Sequence, residues 1–263
     1  MGVACAACVA LTPLACEPEL VIGTWDCDPS GQGGATGGEV ADDQPIALPW
    51  STGFENGFCD FPAAGGFCYT NPAASYEVVS APVRSGTSAA AFHVGGDPAV
   101  DGLQARCARQ GTLPLAAYYG AWFFVPEVVT STSNWNLFHF DGNSADEEHG
   151  LWDVSLALGA NGVLSAYVYD FLRVTTRAAT GPADVPVGAW FHLEVYLQRA
   201  ADSSGRFDLY VDGVLALSLA GLITDDTDIG QWYVGNLAAS ITPRPSTLYV
   251  DDITIALERQ GGT

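Results

Sequence analysis

The chain has 263 residues, with 30 Asp and Glu against 9 Lys and Arg, for a formal charge of −21. All nine bases are Arg, so the basic footprint of a nucleic-acid binder is missing, and anionic lipid headgroups are disfavoured for the same reason. With 48% hydrophobic and 15% charged residues the chain is not disordered as a whole, and 30 Gly with 15 Pro favour short strands and tight turns over long helices.

Residues 1–16, MGVACAACVALTPLAC, are small, apolar and uncharged. They read as a signal segment, too short to span a membrane. The end of this stretch resembles a bacterial lipoprotein lipobox, with Pro13 where Leu is usual, which implies lipidation of Cys16. A lipid on Cys16 is the membrane contact expected of this exported chain. Residues 17–45 carry seven acids, no base and the run Gly31–Gly38, which predicts a flexible tether. From 46 to 258 the texture is uniform and predicts one domain, followed by a tail over 259–263.

Once Cys5, Cys8 and Cys16 are set aside, Cys27, Cys59, Cys68 and Cys107 remain as two possible disulfides. Cys59 and Cys68 flank a span that can fold back on itself, which pairs them and leaves Cys27 for Cys107. Reduced buried thiols are the alternative. A zinc site is not expected, because no Cys-x-x-Cys spacing recurs beyond the signal segment.

In chain order, strands are expected at 86–94, 103–110, 118–125, 134–140, 151–158 and 162–171. Further on, Phe191, Leu193, Val195 and Leu197 alternate with His192, Glu194, Tyr196 and Gln198, one face in and one out. Phe207, Leu209 and Val211 continue the pattern into an Asp212-Gly213 hairpin signal, and a last strand covers 246–257. On this reading the fold is all-β, a sandwich of two antiparallel sheets.

Gly188-Ala-Trp190 followed by Gly205-Arg-Phe-Asp-Leu-Tyr-Val-Asp-Gly213 resembles the pattern of concanavalin A-like and laminin G-like jelly rolls. Phe54-Glu55-Asn-Gly57 and Tyr249-Val-Asp251-Asp252 are similar to their terminal strands. The middle, with Trp122, Asn134 to His139 and Trp232 to Asn236, resembles heparin lyase I-type polysaccharide lyases. A Glu-x-Asp-x-x-Glu hydrolase motif is absent.

The resemblance implies a jelly roll that recognises polysaccharide on its concave sheet. For glycan contact it implies Trp135, Asn134, Tyr167, Tyr169, Trp232 and Asn236 as platforms and amides. The alternative is that the protein also cleaves uronate-containing chains by β-elimination, which needs a base, an acid and groups that neutralise a carboxylate. His139, Tyr233, Arg106 and Arg109 are the candidates. Alternation places Trp135, Leu137, His139 and Asp141 on one face. Arg106 and Arg109, three apart, fall on opposite faces, so one at most reaches a cleft. Leu137 stands where the lyase pattern has Gln. His192 and His139 also read as ordinary sheet histidines, the first facing solvent. The acidity of the chain favours neutral sugars over polyanions.

The same resemblance implies one structural Ca²⁺ held by Glu55 with Asp251 or Asp252, and the alternative is carboxylates bonded to turn amides. A surface adhesion module without a sugar pocket is a third class of function.

Overall fold

The computed structural model describes residues 21–23, 27, 45–95, 103–131, 133–144, 147–225, 227 and 229–261. In chain order the strands begin with β1 (Val21–Ile22), β2 (Trp50–Thr52), β3 (Gly66–Thr70), β4 (Ser75–Val79) and β5 (Ala89–Val94). The centre of the chain supplies β6 (Leu103–Gly111), β7 (Ala116–Phe124), β8 (Thr130–Ser131), β9 (Trp135–Ser144) and β10 (Glu147–Leu158). Then come β11 (Leu164–Asp170), β12 (Thr175–Ala178), β13 (Asp184–Val185), β14 (Trp190–Gln198) and β15 (Gly205–Val211). The series closes with β16 (Val214–Leu222), β17 (Ile229–Ala238), β18 (Ile241–Thr242) and β19 (Ser246–Ala256). Among the described residues the one helical turn is Pro62–Ala64, and no helix is long and apolar enough to cross a membrane.

Two antiparallel sheets pack face to face as a jelly-roll sandwich. The first runs β1-β3-β6-β17-β9-β10-β11-β12, with β13 also on β11, and the second runs β16-β15-β14-β7-β19-β5-β4, with β2 on β19. Alternating residues build the seam. Tyr119 and Phe123 of β7 meet Trp232 and Phe138 at ring distances of 5.2 and 5.3 Å, and Trp152 stacks on Phe207 at 4.6 Å. Rings of this size fully removed from water dominate the core energetics, and truncating one to Ala costs about 3–5 kcal/mol.

The four expected cysteines form two disulfides, which suit an oxidising compartment. The pairing is not the expected one: Cys27 joins Cys59 and Cys68 joins Cys107. The reason is β3, a strand the sequence did not reveal, which places Cys68 directly opposite Cys107 of β6. Cys59 lies in the turns before β3 and reaches Cys27 instead. Val21 and Ile22, assigned to the tether, pair with Thr70 and Tyr69 of β3. The signal segment, Cys16 and most of the tether lie outside the described residues.

Candidate active site

The outer face of the first sheet carries a polar cluster built by cross-strand register. On β17, Trp232 and Val234 point into the core, so the parity of the strand sends Gln231 and Tyr233 outward. Tyr233 lies opposite Ala108 of β6 on one side and His139 of β9 on the other. His139 lies opposite Asp153 of β10, and Asp153 opposite Tyr169 of β11. A row perpendicular to the strands therefore reads Phe67, Ala108, Tyr233, His139, Asp153, Tyr169. One residue pair along the strands, Tyr69 opposes Arg106 and Ser155 opposes Tyr167.

Arg106 holds the Tyr233 end. Its guanidinium sits 4.8 Å from the Tyr233 ring and 5.8 Å from Tyr69, and it donates to Gln104 Oε1 at 2.6 Å. The Tyr69 hydroxyl donates to the same oxygen at 3.1 Å, while the Tyr233 hydroxyl donates to Gln231 Oε1. The His139 ring lies 5.4 Å from the Tyr233 ring and 5.7 Å from Phe171.

His139 is clamped between two acids, with Nδ1 2.5 Å from Asp153 Oδ1 and Nε2 3.4 Å from Asp141 Oδ2. Burial pulls its pKa down and Arg106 opposes its charge. The hydrogen bonds to Asp141 and Asp153 and the Asp153 charge outweigh both, so the pKa stands above the ordinary histidine value. Both ring nitrogens face carboxylates, which is the arrangement of an imidazolium. Asp141 was expected on this face; Asp153 was not, because only the β9–β10 register places it there.

Several expected residues lie elsewhere. Trp135 and Trp232 are in the core, 1% and 0% exposed, and cannot be sugar platforms. Asn236 is equally buried, accepting from Trp135 Nε1 at 3.0 Å and donating to the Phe92 carbonyl at 3.1 Å. Residues 232 and 236 share a parity with each other and not with Tyr233, so they face inward together. On β9 the expected single face is broken by an irregularity between Asn136 and Phe138, seen against both β10 and β17. It leaves Trp135 and Leu137 in the core while His139 and Asp141 stay outside. Asn134 precedes β9, tied through its carbonyl to Ser131 and Ala239 at the end of the sheet. Tyr167 and Tyr169 are half-buried on the outer face as expected.

Arg109 points to the other side of the sheet from Arg106, stacked 4.7 Å from Trp50, and burial lowers its pKa to about 10. His192 faces outward on the second sheet but is 2% exposed, tilted against Trp122, and burial lowers its pKa. Arg84 stacks over Trp122 at 4.0 Å, and both residues line, with His192, Thr254 and Gln260, a pocket of about 410 Å³.

Glu55 and Asp251 meet the loop over 84–88. Glu55 accepts from Thr87 N–H, Thr87 Oγ1 and Ser88 N–H at 2.7, 2.6 and 3.1 Å. Asp251 accepts from the N–H groups of Arg84, Ser85 and Asp252 at 2.9, 3.2 and 2.8 Å, and Asp252 accepts from Ser85 Oγ at 2.8 Å. Among the described residues no three His, Cys, Asp or Glu side chains gather at one point. As arranged, these carboxylates clasp a loop.

No family model and no curated protein matches this chain. Solved structures share its fold. The endo-β-1,4-glucuronan lyase of the fungus Trichoderma reesei superposes with a TM-score of 0.55 at 19% identity, covering 70% of this chain and 87% of that one. The cellulose-induced protein Cip1 gives 0.55 at 19%, covering 80% and 98%. A variant of alginate lyase Aly36B in complex with an alginate trisaccharide gives 0.54 at 12%, covering 92% and 99%. At these identities the likeness is one of fold, and it is a fold in which polysaccharide lyases are built.

Proposed function

We propose that this protein is a polysaccharide lyase that cleaves a uronate-containing glycan by β-elimination on the outer face of the first sheet. The observation that carries the reading is the convergence of Tyr233, His139 and Arg106, from three adjacent strands, on one face. Burial of Trp135 and Trp232 removes two of the aromatic platforms that a purely binding role would use, leaving Tyr167 and Tyr169.

In this mechanism Arg106, the His139 imidazolium and the Gln104 amide face the uronate carboxylate and stabilise the charge that builds on it as C5 loses its proton. Tyr233, acting through its hydroxyl oxygen as the base, takes the C5 proton. The C–H electron pair becomes the C4=C5 double bond, the C4–O bond breaks, and Tyr233 returns the proton to the leaving oxygen on the same face of the ring. No proton is gained or lost over the cycle. Asp153 and Asp141 position His139 and keep it cationic.

The test is the ultraviolet absorbance of the unsaturated uronate, recorded over a panel of uronate polysaccharides. The wild type should produce it, and Tyr233→Phe should reduce the rate by about 100-fold or more, the scale of losing a positioned acid–base group. An unaltered rate in Tyr233→Phe, or no product from any uronate polymer, would overturn the proposal.

A further inference from the structure

Resting on that reading of the site, we infer that the preferred substrate carries isolated uronates, each flanked by neutral sugars, and is not a homopolymer of uronate. The argument is one of charge supply along the groove.

Every arginine that could neutralise a uronate is accounted for. The chain has no Lys, and all nine of its Arg lie in the described residues. Arg106 alone joins the Tyr233 cluster. Arg173 and Arg177 both bind the buried Asp170, Arg199 binds Asp225, Arg206 binds Asp208, and Arg259 binds Glu194. Arg109 is on the core side, Arg84 is over Trp122 on the second sheet, and Arg244 is held by the carbonyl of Ile241.

On either side of the cluster the face is neutral or acidic. Toward β3 it offers Phe67 and Tyr69. Toward β11 and β13 it offers Tyr169, Tyr167 and Ser165, ending in a cavity of about 430 Å³ lined by alanines, glycines, Tyr167 and the acid Asp184. Ser165 donates to Asp184, so the one charge in that cavity is negative. Ala157, opposite Ser165, is four residues along β10 from Asp153, about 13 Å at strand spacing. A bound chain that reaches this cavity leaves the cationic cluster behind. A second uronate there would meet an acid and a protein of charge −21 with no counterion, whereas a neutral sugar would meet tyrosine rings and hydroxyls.

The experiment compares initial rates of double-bond formation on two kinds of polymer at low ionic strength. Deacylated gellan and hyaluronan carry 4-linked glucuronate separated by neutral sugars, while glucuronan and alginate carry a carboxylate on every unit. The spaced polymers should be cleaved with kcat/KM at least about 10-fold higher, since each uncompensated like charge costs roughly five-fold. Rates on the homopolymers should rise with added salt as repulsion is screened. The variant Ala157→Arg, at an exposed position lining the cavity, should raise the ratio of kcat/KM on glucuronan to kcat/KM on gellan by about five-fold, and an unchanged or lower ratio would count against the inference. Equal or faster cleavage of glucuronan or alginate would overturn the inference while leaving the lyase standing.

If no polymer is cleaved, the lyase reading fails, and calorimetry with Tyr233→Phe decides the inference separately. A tetrasaccharide with one glucuronate should then bind more tightly than one with four, and the reverse order or equal affinity refutes it.

Discussion

Replacing Asp153 with Asn tests the electrostatics of the site at its shortest charged contact. The Asp153 carboxylate lies 2.5 Å from His139 Nδ1, both by hydrogen bond and by charge. Contact with an opposite charge at this range moves a pKa by about 1–3 units, each worth 1.36 kcal/mol. In Asp153→Asn, burial and Arg106 still press the imidazole toward neutrality, and only Asp141, at 3.4 Å, resists. The His139 pKa should therefore drop from above the ordinary value to below it.

The linkage has a definite sign. A histidine whose folded pKa is raised contributes stability that is present in full below its unfolded pKa, near 6.5, and is lost as pH rises through the folded value. The gap in unfolding free energy between wild type and Asp153→Asn should thus be wider near pH 5.5 than at pH 9, by about 1–4 kcal/mol. Imidazole resonances followed by NMR across pH read the pKa directly, and urea melts at the two pH values read the linkage. Lyase rates should fall in the variant at neutral pH and recover partly on acidification, as His139 regains its charge. A wild-type His139 that titrates at or below the ordinary histidine range, or a titration unmoved by the substitution, refutes the clamp.

Asp251 gives a slope of the same sign in a more acidic window. Burial raises its pKa to about 6 in spite of three amide donors. An acid of raised folded pKa binds more protons in the fold, so its contribution makes stability decline as pH climbs from about 4 through about 6, by up to roughly 3 kcal/mol. Subtracting the Asp251→Asn melts from the wild type should isolate this decline, and a flat difference would contradict it. The amide-saturated clasp at Glu55 and Asp251 predicts that EDTA leaves the thermal midpoint unchanged. A fall reversed by calcium would return the ion to those carboxylates. Gly235, at φ 144° and opposite Arg106, would bring a Cβ to 2.6 Å from the Ala105 carbonyl. Gly235→Ala should cost about 1–3 kcal/mol in urea unfolding and disturb the placement of Arg106, and an unchanged melt would count against this close approach.

What the sequence made legible was whatever depends on strict alternation. The strands around 190–198 and 206–212 stand where Phe191, Leu193, Val195 and their polar partners put them. Arg106 and Arg109 separate to the two faces for the same reason. Parity alone also opposes Tyr233 to Trp232 and Asn236, which were nonetheless all assigned to the sugar face. What stayed hidden involves two strands at once. The irregularity at Leu137 is a mismatch against β10 and β17 together and leaves no trace in the residues of β9. Asp153 becomes a partner of His139 only through register, and Cys68 finds Cys107 only because β3, with Gly65 and Gly66 at its start, is a strand and not the tip of a loop.

The same register explains how so acidic a chain can hold a fixed cation on this face. An exposed histidine in a field set by −21 charges would gain its proton from the field but would not be held at one point. Asp141 and Asp153 convert a diffuse attraction into two directed contacts, and Arg106 stands beside them without a carboxylate of its own strand to cancel it. Counted locally with the Tyr233 hydroxyl protonated, two cations face two anions, so the cluster is neutral. One uronate makes it singly negative, a charge that Gln104 and Gln231 can share through their amides. A second uronate has nothing left to meet. If the protein is the lyase proposed above, a local balance of four side chains, and not the net charge of the protein, decides where along a glycan the carboxylate must fall.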